Sequence, residues 1–225
     1  MDSTNHFLSN LHLIMKTLTL YTLCIIALIL QSCGDSNSTA PTSDANQMWT
    51  SKNLDISTYR NGDSIRHAST PEEWRDAANK QEGAWCYFNN DPKKGELYGK
   101  LYNWYAVNDS RGLAPAGYHI PSDAEWSALT EYLGGAEIAG FKMKSTSGWS
   151  NGGNGDNSSG FNALPGGYRS GNGYFYNITE NGYFWSSSEL SADLAWYRNL
   201  ALNNMKVDRY YINKNAGFSV RCLRD

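Results

Sequence analysis

Apolar residues in this chain come mostly in short runs cut by Gly, Asn and Ser. At two places they are introduced instead by a helix-start signal, Thr70-Pro71-Glu72-Glu73-Trp74 and Ser122-Asp123-Ala124-Glu125-Trp126. A Ser or Thr followed three positions on by Glu is a capping box, and Pro is tolerated in or just before the first turn. The pattern predicts one helix from Pro71 to near Lys80, stopping before Gly83. It predicts a second from Asp123, with Trp126, Leu129 and Leu133 on one buried face and Gly134-Gly135 as its stop. Residues 84–88, 184–188, 195–202, 207–212 and 217–223 read as short strands bounded by turn residues. Asn203-Asn204 marks a hairpin turn between two of them. Residues 98–107 fit either a strand or a short helix. Residues 145–173, rich in Gly, Asn, Ser and Asp with scattered rings, read as a long loop region, and loops of that length usually serve a function.

The front of the chain has a different pattern. Lys16 precedes an apolar core at 17–30, shorter than the about 20 residues a membrane-spanning helix needs. The run closes on Ser32-Cys33, with Leu30 three positions before the cysteine, and resembles a bacterial lipobox. The expectation is a signal peptide over 1–32 and a diacylglyceryl group on Cys33, which becomes the mature N-terminus. Residues 1–14 hold Asp2 and no Lys or Arg, so Met15 is the expected start of translation. Residues 34–47 contain no ring and no large aliphatic side chain, which predicts a flexible tether over 33–47 and a folded domain over 48–225. The location this implies is the bacterial cell envelope, lipid-anchored, with the outer membrane favoured and the leaflet left open.

Residues 33–225 suffice for one domain with a full core. The net charge of −3, without a basic stripe, argues against a nucleic-acid partner. With 8 Trp and 15 Tyr but only 18% charged residues, the core should be built largely from rings. Cys24 leaves with the leader and Cys33 is taken by lipid, leaving Cys86 and Cys222. Export permits a Cys86–Cys222 disulfide, worth roughly 4–5 kcal/mol in the chain-entropy account. Two separately buried thiols are the alternative.

Seven segments together carry a resemblance: GAWCYFNND at 83–91, YGKLYNWYAV at 98–107, GYHIPSDAEWSALTEYLGG at 117–135, SGFNALPGGYR at 159–169, GYFWSSSE at 182–189, AWYR at 195–198 and GFSVRCLRD at 217–225. On these the chain resembles the Fibrobacter succinogenes major paralogous domain, found in many bacterial surface lipoproteins, over about Trp49 to Asp225. More distantly, YHIPSDAEW at 118–126 and GFSVRC at 217–222 are similar to segments of formylglycine-generating sulfatase-modifying proteins. That likeness implies an α+β, C-type-lectin-like domain with two capped helices, short mixed β-sheets, long loops and chain ends brought together. It carries an expectation of fold and transfers no function.

The residues themselves offer little for catalysis. The paired copper-binding thiols of the sulfatase-modifying enzymes are not matched, since Cys86 and Cys222 sit in strand-like segments. The calcium motifs of lectins are absent. NGGNGDN at 151–157 supplies one carboxylate, Asp156, and reads as an Asx-rich turn. His119, just before the second helix, reads as packed, and Glu72-Glu73 as helix-start residues. No catalytic residue, metal or cofactor is expected. Trp149, Tyr168, Tyr174, Phe175 and Tyr176 lie among Gly and Asn, with Arg169 beside them as a forked donor. Such rings suit sugar faces, peptides or other polymers, or else they fill a loop-rich core. The expected function is non-catalytic binding of a glycan or other extracellular polymer at the membrane. A divergent sulfatase-modifying-type enzyme and a scaffold subunit of an envelope complex are the alternatives.

Overall fold

A computed structural model describes residues 48–225; the signal segment, Cys33 and the tether lie outside the described residues. Both capping boxes form. Thr70 Oγ1 accepts from the Glu73 amide at 3.1 Å, and Glu73 reaches back to the Thr70 amide at 2.9 Å, opening α1 (Pro71–Asn79). Ser122 and Glu125 repeat the exchange at the start of α4 (Asp123–Tyr132). Trp126 and Leu133 are buried and Leu129 partly so, on the face their spacing predicts. Gly134 and Gly135, both at positive φ, turn the chain into a further helix, α5 (Ala136–Met143). The ambiguous stretch at 98–107 divides: α2 (Pro92–Tyr98) ends in it, β3 (Leu101–Tyr102) follows, and α3 (Trp104–Val107) is a single turn capped by Asn103.

The strands form three sheets, giving an α+β fold with mixed sheets. β1 (Arg66–His67) runs parallel to β2 (Ala84–Cys86), which pairs antiparallel with β3. The largest sheet has five strands in the order β6-β5-β7-β8-β9, with β5 (Gly166–Arg169), β6 (Phe175–Ile178), β7 (Asn181–Glu189), β8 (Leu194–Ala201) and β9 (Asp208–Asn213). Only β5 and β7 pair in parallel in this sheet. β4 (Tyr118–His119) pairs with β10 (Leu223–Arg224). The start of the domain lies beside its end: Trp49 bridges Leu223, and the Thr50 amide donates to the Cys222 carbonyl at 2.9 Å.

Two expectations are corrected here. Residues 217–223 do not form one continuous strand, because their backbone groups go to different partners in turn. Gly217 bridges Arg169, Phe218 bridges Tyr102 and Ser219 bridges Phe184, so the segment laces two sheets together. The loop region at 145–173 gives up residues 166–169 to β5.

Rings dominate the core. Its main cluster includes Trp85, Tyr102, Trp104, Trp185 and Phe218; a second, under α4, includes Trp126, Trp149, Phe161 and Phe184; a third includes Trp74, Phe88 and Leu101. The expected Cys86–Cys222 disulfide is not formed. Both are free, buried thiols; Cys86 packs in the third cluster and Cys222 in the main one. Burial pushes each thiol up to about 12, against the pull of Arg169 on Cys86 and of Arg221 on Cys222.

Candidate functional site, a row of tyrosines across the sheet

The structure sorts the aromatic candidates into buried and exposed. Trp149 is 4% exposed; its indole N–H donates to Ser145 Oγ and to the Ala163 carbonyl, both at 3.1 Å, so it is a core residue holding the 145–163 loop. Arg169 is fully buried. Its guanidinium donates to the carbonyls of Ala68, Ser69 and Gly173 and lies over the rings of Trp74 and Phe175. Both are therefore corrected from ligand contacts to internal struts, because their polar groups are consumed by the chain's own carbonyls. Phe175 packs against Phe88 at 5.2 Å. Tyr174 is exposed, in the loop joining β5 to β6. Asp156 accepts from the Ser158 amide at 2.9 Å, an Asx turn as its neighbours imply.

Tyr168 and Tyr176 do come together, and three tyrosines join them. Strand pairing sets Tyr168 opposite Tyr176 and Tyr197 opposite Tyr210, while the β5–β7 pairing at Gly167 and Gly182 brings Tyr168 beside Tyr183. The ring centroids run from Tyr176 to Tyr168 at 5.5 Å, to Tyr183 at 4.8 Å, to Tyr197 at 6.1 Å and to Tyr210 at 6.1 Å. Each strand of the five-stranded sheet thus contributes one tyrosine to a continuous row running across the strands. Gly166-Gly167 makes the close approach possible. Gly167 has φ +64°, and a Cβ there would sit 2.5 Å from the Tyr176 carbonyl oxygen.

The inner rings are held from beneath. Phe218 lies 5.9 Å from Tyr168, 5.1 Å from Tyr183 and 4.7 Å from Tyr197. These three are half-buried, whereas Tyr176 and Tyr210 at the ends are 43% and 52% exposed. Burial raises the phenol pKa of Tyr168, Tyr183 and Tyr197, the last to about 12, with neighbouring tyrosines adding to it. All three hydroxyls therefore remain protonated and able to donate at neutral pH. Among the described residues, Tyr183 is the one member of the row whose hydroxyl has a protein partner, accepting from Asn177 Nδ2 at 2.8 Å. Asn181 and Asn199 form an amide pair on the strands that carry Tyr183 and Tyr197, at 3.4 Å.

Tyr183, Tyr197 and Tyr210 were not among the candidates read from the sequence. Their signal is the two-residue period on three strands, Tyr183/Trp185, Ala195/Tyr197/Asn199 and Asp208/Tyr210/Ile212. The order of the strands, which the period does not carry, is what aligns them.

Elsewhere, His119 bridges two elements, its Nδ1 2.8 Å from Asp225 and its Nε2 2.9 Å from Glu125. Among the described residues, no three His, Cys, Asp or Glu converge to hold a metal ion, and no helix is long and apolar enough to cross a membrane.

No curated protein and no solved structure matches the chain. The sequence model of the Fibrobacter succinogenes major domain matches residues 44–224, which takes in all the strands and helices that build the tyrosine row. The chain belongs to the Fibrobacter succinogenes major domain family.

Proposed function

We propose that this protein is a non-catalytic binding module of the bacterial cell envelope, anchored through lipid on Cys33, that holds a glycan along its tyrosine row. The observation that carries the reading is the row itself, one ring from each of five adjacent strands, half-buried in the middle and exposed at the ends, with four hydroxyls that have no protein partner among the described residues. Such rings combine an apolar face or edge with a polar tip, and their fixation by Phe218 lowers the ordering entropy that binding must overcome.

The fold is read as C-type-lectin-like. The two capped helices, the mixed sheets and the adjacency of Trp49 to Leu223 support that reading. Enzyme chemistry of the sulfatase-modifying kind draws no support from Cys86 and Cys222, whose thiols are buried and far from ionising at neutral pH.

Two experiments test the proposal. Co-sedimentation of the full chain with insoluble glycans should show binding that Tyr176→Ala and Tyr210→Ala weaken; binding that both variants leave unchanged would remove the row from the proposal. Metabolic labelling with a radioactive fatty acid should mark the wild-type chain and not Cys33→Ser. Equal labelling of the two would overturn the anchor.

A further inference from the structure

The chemistry around the row narrows the ligand, on the premise that the row is the binding face. We infer that it takes an uncharged, hydroxyl-rich polysaccharide laid across the strands from Tyr176 to Tyr210, and that it rejects polyanions. The first ground is charge. The ionised groups acting on the row are two carboxylates, Glu180 on Tyr183 and Asp208 on Tyr197, and one cation, Lys206 on Tyr210. The basic residues of the same sheet and its hairpin each have a partner of their own. Arg209, adjacent to Tyr210 on an alternating strand, points to the other face, where it grips both oxygens of Asp123 and lies 3.4 Å over Trp196. Arg198 donates to the same Asp123, Lys206 pairs with Glu137, and Arg169 is buried on backbone carbonyls. A polyanion would therefore meet two carboxylates against one cation, Lys206, that Glu137 already neutralises at 2.8 Å, a balance of charge that disfavours it.

The second ground is repetition. A pocket for one small molecule presents a few different groups converging on one point. This face presents the same group five times, at steps of 4.8–6.1 Å. A chain of repeated units matches such a surface because each unit meets an equivalent ring. The third ground is hydrogen bonding. Four tyrosine hydroxyls without protein partners among the described residues are neutral groups that both donate and accept. Sugar hydroxyls do the same, and each free phenol is best satisfied by a partner of that kind.

The test is affinity electrophoresis of the full chain through gels containing a neutral polymer (hydroxyethyl cellulose, laminarin, galactomannan or xyloglucan) or an anionic one (alginate, polygalacturonate or heparin). At least one neutral polymer should retard the protein. Tyr176→Ala and Tyr210→Ala should each weaken the apparent Kd by roughly fivefold, and the double variant by about 25-fold. Both rings are exposed at the ends of the row, so the thermal midpoint should stay at the wild-type value. Retardation by an anionic polymer that the double variant loses would overturn the inference and leave the row as a binding face. No retardation by any polymer, or retardation that ignores both substitutions, would overturn the inference and the function it rests on.

Discussion

The ring of Tyr183 stacks on that of Phe218, with centroids 5.1 Å apart and planes 20° apart. Phe218 also meets Tyr168, Tyr197 and Trp185, and its backbone bonds to Tyr102 in the other sheet. One buried ring therefore supports the middle of the tyrosine row and ties it to the main core. Phe218→Ala should destabilise the domain by roughly 3–5 kcal/mol, since a buried aromatic is removed and a cavity remains. Urea unfolding measures the loss, and near-ultraviolet circular dichroism should show a weakened tyrosine signal while the protein is still folded. A loss below about 1 kcal/mol would mean that the rings are held by something else.

Cys86 and Cys222 should behave as two inert thiols. Both are buried, and their raised pKa leaves almost no thiolate at neutral pH. Iodoacetamide should modify neither in native protein and both after denaturation, and a reductant should leave the thermal midpoint unchanged. A Cys86–Cys222 disulfide peptide in a non-reducing map would contradict the structure on this point.

His119 predicts a pH dependence. Burial pulls its pKa down, but the hydrogen bonds it donates to Asp225 and Glu125 and their charges outweigh that, and the net shift is upward. A histidine with a folded pKa above its unfolded value stabilises the fold fully below the unfolded value, near 6.5. That contribution fades as pH rises through the folded pKa. The site is half-exposed, so screening keeps the effect small, on the order of 0.5 kcal/mol. Stability measured between pH 6 and 8 should decline slightly for the wild type, and His119→Gln should flatten that slope. An unchanged slope in the variant would assign the pH dependence to other groups.

The chain's local signals were strong where chemistry acts over a few residues. Thr70 with Glu73 and Ser122 with Glu125 are short-range exchanges, and both helices start where those residues stand. The apolar runs at 184–188, 195–202 and 207–212 mark the middle of the first strand at 181–189 and nearly all of those at 194–201 and 208–213, and the turn at Asn203-Asn204 connects the last two. Strand order was not legible, because the β5–β7 pairing joins segments separated by the whole of β6. The candidate site suffered most from this. Trp149 and Arg169 looked like ligand contacts because their neighbours in sequence are polar, yet in space they fill the core and bind carbonyls from distant segments such as Ala68. Tyr197 and Tyr210 looked like ordinary strand residues until the sheet set Tyr197 beside Tyr183 and Tyr210 beside Tyr197. The short helices 92–98 and 136–143 were missed because each carries Gly in its middle, Gly95 and Gly140, which weakens the local helical signal.

The most direct test of the central claim, that the tyrosine row is the binding face, is an NMR titration of the full chain with tyrosine rings selectively labelled with carbon-13. The ligand is a soluble oligosaccharide of whichever neutral polymer retards the protein. Ring resonances of Tyr176, Tyr168, Tyr183, Tyr197 and Tyr210 should move together, while those of Tyr132, Tyr174 and Tyr211, exposed but outside the row, stay in place. Shifts at Tyr132, Tyr174 or Tyr211 with the five row resonances unmoved would contradict the account.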